Sequence, residues 1–179
     1  MISTDKTFFD SDCFSSFMWA NAEHIMLKLF KGRIVLPQAV VDEISRVNHL
    51  YSKLEQYINN GDIKVQDICI QDEAFKYYQK FTVSPEKGYK VIGEGEAAVL
   101  ALAKAEDGIA ASNNLRDIKR YIDDLGIKHI TTAVILEEAM KNKYITEKEG
   151  NRIWKKMIEK KRKLPYETFT DYLNSKKTS

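Results

Sequence analysis

The sequence predicts an α/β domain in which a parallel sheet is covered by helices on both faces. Two observations predict it. Short apolar runs of strand length alternate with stretches of helical period along the chain, and strands joined through helices pair in parallel. The chain has 179 residues, 44% of them hydrophobic. A single domain of that size can hide about 70% of its unfolded surface and needs no staples.

Each element follows from its residues. Thr7-Phe8-Phe9, closed by Asp10, forms the first strand. Phe14, Phe17, Met18, Ala22, Ile25, Met26 and Leu29 recur at helical spacing, as one long helix or two short ones, and Gly32 is a natural stop. Residues 33–36, closed by Pro37, form the second strand. Val40, Val41, Ile44 and Val47 mark a helix that can run on through Leu54 and Tyr57 to the turn Asn59-Asn60-Gly61. Residues 64–70 read as a strand, 72–81 as a helix, and 83–93 as a loop with Pro85 and Gly88. Residues 94–105 form a strong helix rich in Ala and Leu. Residues 109–112 are a strand of buried type. Leu115, Ile118, Ile122 and Leu125 then repeat with helical period up to Gly126. Residues 127–131 form the last strand and 134–143 the next helix. Thr146 opens a final helix carrying Ile153, Trp154, Met157 and Ile158, before a tail holding Leu164-Pro165-Tyr166. The apolar face of that helix either packs on its own domain or forms a surface for an oligomer or a partner protein.

Composition removes several classes. With 30% charged residues, eight Gly and three Pro, the bulk of the chain is neither disordered nor collagen-like nor a linker. Cys13 and Cys69 are no disulfide framework and fit a reducing cytoplasm. The start carries no basic stretch followed by an apolar core, and no apolar run reaches the ~18 residues of a membrane helix. A cytoplasmic protein is expected. The net charge of +2 hides an asymmetry. Residues 1–140 hold 16 basic and 21 acidic side chains, whereas residues 141–179 hold 12 and 5. The basic tail, with Lys155, Lys156, Lys160, Lys161, Arg162 and Lys163, is either a solvated helical face or a contact for an anionic partner such as RNA.

Sites in parallel sheets form at the C-terminal edges of the strands, and polar residues directly after strands come first. Asp10 ends the first strand; it is a helix cap or a functional carboxylate. Glu43 borders the buried stripe of its helix, where a carboxylate must be paired, protonated or bound to metal. Glu96 opens the Ala-rich helix, where the helix dipole favours acids. Its flanking glycines, Gly93 and Gly95, fit a close backbone approach. Asp117 follows Ser112-Asn113-Asn114 just after a strand, and Asn114 either caps or bonds a neighbouring carboxylate. His24, His49 and His129 lack metal-ligand spacing, the cysteines form no CxxC pair, and no nucleophile elbow or Walker loop is present. Carboxylates without His or Cys prefer hard cations such as Mg²⁺ or Mn²⁺. Together with a basic tail they point to a metal-dependent phosphodiesterase.

At these residues the sequence resembles the PIN domain family of metal-dependent nucleases. Phe8-Phe9-Asp10-Ser11-Asp12-Cys13-Phe14 is similar to its opening strand and acidic motif. Val35-Leu36-Pro37 with Val40-Val41-Asp42-Glu43-Ile44 resembles its second strand and helix. The run from Gly93 through Glu94, Gly95 and Glu96 to Ala103 resembles the Gly-Glu-rich helix of one branch. Ser112-Asn113-Asn114-Leu115-Arg116-Asp117-Ile118 resembles the Thr-x-Asn-x-x-Asp-Phe run of family toxins. The resemblance implies a three-layer α/β/α domain with a central parallel sheet over residues 1–144. A basic helical extension, residues 145–179, would pack on or next to it. It implies RNA hydrolysis with one or two Mg²⁺ or Mn²⁺ ions held by Asp10, Glu43, Glu96 and Asp117. Ser11, Asp12, Ser112 and Asn114 would stand behind them, with Glu94 in reserve for the third acidic place. Many small bacterial members are toxins held inactive by a separate antitoxin. Asn113-Asn114 stands where other members have Asp-Asp or Asn-Asp. The alternative is therefore a catalytically inactive PIN-fold module that binds RNA or protein.

Overall fold

A computed structural model describes residues 5–177. Residues 1–4, part of the start expected to carry no leader, and residues 178–179 of the basic extension lie outside the described residues. The elements run β1 (Thr7–Phe9), α1 (Ser11–Trp19), α2 (Glu23–Leu29), β2 (Ile34–Pro37), α3 (Gln38–Ser45), α4 (Asn48–Asn59), β3 (Lys64–Gln66), α5 (Glu73–Thr82), α6 (Glu94–Ala105), β4 (Ile109–Ala111), α7 (Leu115–Leu125), β5 (Lys128–Ile130), α8 (Thr132–Lys141), α9 (Glu147–Glu159) and α10 (Phe169–Lys177). The strands form one five-stranded sheet in the order β3-β2-β1-β4-β5, with every pairing parallel. The chain winds from β1 to one edge, then returns through β4 to the other. The switch point lies between β1 and β4, where a crevice opens at the C-terminal ends of the strands.

β1 and β4 are buried along their whole length, and their sequences are apolar except for Thr7. α6 is buried almost all round, from Gly95 to Ala103. Its alanines let it lie against α3, α5 and the sheet. α7 is amphipathic, with Ile118 and Tyr121 inward, and ends at Gly126 with φ 63°, the left-handed stop that glycine adopts freely.

The structure decides two alternatives that the sequence left open and moves two expected boundaries. The first helical stretch is two helices, broken at Asn21, whose φ of 53° leaves the helix. The stretch after β2 also divides, because Val47 is extended and the Ser45 hydroxyl bonds back to the Asp42 carbonyl. β3 stops at Gln66 instead of residue 70; it pairs on one side only, and Asp72 accepts from the Cys69 N–H (2.7 Å), turning the chain toward α5. The helix opened by Thr146 is not the last, because α10 follows it.

The two final helices pack on elements that precede them. Thr146 and Glu149 form a reciprocal capping box that starts α9. Trp154, Met157 and Phe169 are fully buried, with the Trp154 ring 5.7 Å from Phe169 and 5.9 Å from Tyr172. α9 contacts α1 and α8, and α10 contacts α8 and α9. Trp154 and Met157, weighed above as a docking face, are thus part of this chain's own core. No helix among the described residues is long and apolar enough to cross a membrane.

Glu137 ties α8 to α10. Its carboxylate accepts from Lys176 (2.6 Å), Lys141 (2.7 Å) and the Tyr172 hydroxyl (2.8 Å). Burial pushes this carboxyl up, but the bonds from Lys141, Lys176 and Tyr172 outweigh burial and hold it at about 2. An unfolded Glu titrates at ~4.3, so this contribution is complete above that value and is lost as pH falls toward 2. Both lysines are half exposed, which discounts it. Glu137→Gln is expected to cost about 2 kcal/mol near neutrality and about a quarter of that near pH ~2.5. Urea unfolding at the two pH values checks this.

Candidate active site

Asp10 leaves β1 at the switch point, beside the end of β4, and its N–H bonds the Ala111 carbonyl (3.0 Å). The side chain is buried, caps α1 by accepting from the Cys13 N–H (2.6 Å), and bonds Ser112. Cap and candidate ligand are therefore the same residue. Glu43 comes from α3 and accepts from the Ser11 hydroxyl. It lies against the first turn of α6, whose free N–H ends favour an anion. Gly95 makes that approach possible, because a Cβ there would stand 2.6 Å from Glu43 Oε1. Glu96, one residue on, is joined through Asn114 to Asp117. The Asn114 carboxamide donates to Glu96 Oε1 (2.5 Å) and to Asp117 Oδ2 (2.9 Å), bridging the first turns of α6 and α7. Asn114 occupies the cap position of α7 without capping it.

Electrostatics link these groups. Burial pushes Asp10 up to about 7; the Ser112 and Cys13 bonds pull against it, and the charges of Asp12 and Glu96 add to it. Burial also raises Glu96, against the Asn114 and Gly93 bonds, with Asp117 and Glu43 adding repulsion. The carboxylates thus feel one another across the edge of the sheet. Among the described residues, however, no three Asp, Glu, His or Cys side chains lie close enough together to hold a metal ion as they stand. Each acid is met by a hydrogen donor: Asn114 on Glu96 and Asp117, Ser11 on Glu43, and the Cys13 N–H on Asp10.

The other expected residues fall into place around this group. Asp12 accepts from Asn113 (3.3 Å) and forms an ion pair with Arg162 at 3.0 Å. Asn113 also bonds Thr132, fastening the end of β4 to the start of α8. Glu94 is exposed, and its charge bears on Tyr78 of α5. A cleft of about 380 Å³ is lined by Glu96, Asp117 and Asp12 together with Arg116, Lys161, Arg162 and Lys163. A neighbouring hollow of about 230 Å³ contains Ser11 and Glu43. Lys155 and Lys156 are exposed on α9 and do not line the cleft, and Lys160 lies 5.4 Å from the Trp19 ring.

Two contributors, Thr132 and Arg116, went unread in the sequence. The two glycines suggested a close approach, but Glu43 as the group approached was not legible. Thr132 and Arg116 follow no motif. The histidines and cysteines stay outside the site chemistry: burial lowers His129, which bonds the Ser112 carbonyl, and burial raises the Cys13 thiol, leaving it un-ionised.

A protein-family model described as a PIN domain matches residues 6–177. No curated protein matches the chain.

Proposed function

Since the chain belongs to the PIN domain family, we propose that it is a metal-dependent endoribonuclease that hydrolyses RNA phosphodiester bonds. The observation that carries the proposal is the set of mutually repelling carboxylates at the switch point, with Asp10 pushed up to about 7 by burial and by its acidic neighbours. Negative charge gathered in this way is costly unless a cation offsets it, since the donors that meet the carboxylates are neutral. The donors are oxygens only, which suits Mg²⁺ or Mn²⁺, and Gly95 leaves the room that Glu43 needs. The residues that would hold the ion are Asp10, Glu43, Glu96 and Asp117. When bound, such an ion supplies charge neutralisation at phosphoryl oxygens and makes water more acidic.

The chain's own residues do the positioning. Ser11 fixes the Glu43 carboxylate, and Asn114 fixes those of Glu96 and Asp117. Cys13 N–H and Ser112 orient Asp10. Asp10 must give up its proton before it can serve as a ligand, so at limiting Mn²⁺ activity is expected to fall as the medium is acidified, and more Mn²⁺ should move that fall to lower pH. Free thiols at Cys13 and Cys69 fit the cytoplasm, where RNA is met. The resemblance of residues 112–118 to the run of family toxins supports a role as the toxin of a toxin–antitoxin pair.

Cleavage of a labelled single-stranded RNA is the test. With Mn²⁺ the rate is expected to exceed that in EDTA by at least about 100-fold, the scale on which ligand-shell losses act. Cutting that survives EDTA overturns the metal dependence. No cutting by folded protein, with Mn²⁺ or Mg²⁺ and with single-stranded or structured RNA, overturns the nuclease and leaves the binding module.

A further inference from the structure

We propose that the segment leaving α9 is a phosphate clamp for the RNA strand, in which Arg162 is a positioning residue that exchanges Asp12 for a backbone phosphate. This rests on the ribonuclease reading. It adds the part of the site that receives the polyanion. Carboxylates gathered at one sheet edge repel a phosphodiester, so the strand needs cations beside them. Arg116, Lys161, Arg162 and Lys163 line the same cleft as Glu96 and Asp117.

Arg162 is placed there by the fold. α9 ends at Glu159, and Lys161 turns the chain with φ 59°. The Lys161 N–H bonds the Ile158 carbonyl (2.8 Å) and the Arg162 N–H bonds the Met157 carbonyl (3.0 Å), so the last turn of α9 grips both residues. The guanidinium then reaches Asp12, 150 residues earlier, at 3.0 Å. Asp12 and Arg162 both line the cleft and the neighbouring hollow that contains Glu43, so their pair stands between the two.

Two features suit this pair to exchange. Its side chains are 27% and 42% exposed, and an ion pair that open to water is weak. Asp12 also keeps the Asn113 amide (3.3 Å) when Arg162 leaves. A phosphodiester offers Arg162 two oxygens, which match its planar fork.

The test is binding of a short labelled single-stranded RNA to the full chain in EDTA, by fluorescence anisotropy, between about 50 and 200 mM salt. Arg162→Ala is expected to weaken binding about tenfold, the scale of one charge-assisted contact. It should also flatten the dependence of log K on log salt by about 0.7, one phosphate on a single strand. Arg162→Lys should keep the slope and lose part of the affinity. Asp12→Asn, which frees Arg162 from its ion pair, should tighten binding, whereas damage to the fold would weaken it. Unchanged affinity and slope in Arg162→Ala overturn the clamp. Tighter binding by Arg162→Ala overturns it too, and makes the pair an internal block. The nuclease reading is judged separately with Mn²⁺. Cutting by wild type with unaltered binding by Arg162→Ala removes the clamp alone. Binding that depends on Arg162 without any cutting removes the nuclease alone.

Discussion

Asp10→Asn is expected to abolish Mn²⁺-dependent RNA cleavage, by at least about 100-fold, and to stabilise the metal-free fold at alkaline pH. The two effects have one source. Asp10 is 3% exposed and its carboxyl is pushed up to about 7, chiefly by burial. An unfolded Asp titrates at ~3.9. The folded state therefore holds this proton more tightly, and the stability it brings is complete below ~4 and lost as pH rises to 7. Above 7 the fold carries a buried charge beside Asp12 and Glu96. Asn removes the charge and keeps the cap, since its carbonyl still accepts from the Cys13 N–H. A gain of about 2 kcal/mol near pH ~8, and close to none near pH ~4, is expected in EDTA. Urea unfolding of the two proteins at both pH values measures it. Lower stability of the variant at the higher pH would contradict the account of Asp10. Saturating Mn²⁺ should reverse the ranking, because an ion that binds only the native wild type raises its stability by mass action. Loss of activity in a more stable protein cannot be ascribed to unfolding.

Much of this was legible because the information is local. The bounds of α6, residues 94–105, follow from a run of Ala and Leu opened by Gly-Glu-Gly-Glu. The strand cores follow from runs such as Thr7-Phe8-Phe9. Asp10 stands out because it immediately follows one of them. What was illegible depends on contacts distant in sequence. Asp12 and Arg162 were each noticed, one beside an acidic motif and one in a basic run, but no spacing rule pairs residues 150 apart. Their meeting follows from the packing of α9 on α1. The end of β3 was misjudged because an edge strand has only one neighbour to extend its ladder, and residues 67–70 are not in it. α10 was hidden because nine residues with only Phe169 and Tyr172 buried give a short, weak periodicity.

Trp154→Ala is expected to have the largest effect on stability, about 3–5 kcal/mol, the range for emptying a buried aromatic site. Trp154 has no exposed surface, its ring packs with Phe169 and Tyr172, and its indole N–H donates to the Tyr166 carbonyl (3.0 Å). Alanine leaves a cavity among these rings and an unpaired carbonyl. The site cannot readily collapse, because Gly150 already lies so close to Phe169 that even a Cβ would collide with its ring. Against a typical total of about 5–15 kcal/mol, such a loss removes from about a fifth of the stability to all of it. Trp19 remains as the fluorescent reporter for urea unfolding. A cost below about 1 kcal/mol would show that α9 and α10 add little to the core. The functional consequence separates two roles for these helices. If α9 serves to present Arg162, then Trp154→Ala should weaken RNA binding as far as Arg162→Ala does, under conditions where the rest of the chain is still folded. Trp154→Phe, which keeps a ring between Phe169 and Tyr172, should restore binding while recovering only part of the stability. Binding that survives in Trp154→Ala would mean that the acidic cleft receives RNA without its basic rim. The positive charge of the C-terminal segment would then be a solvated helical face.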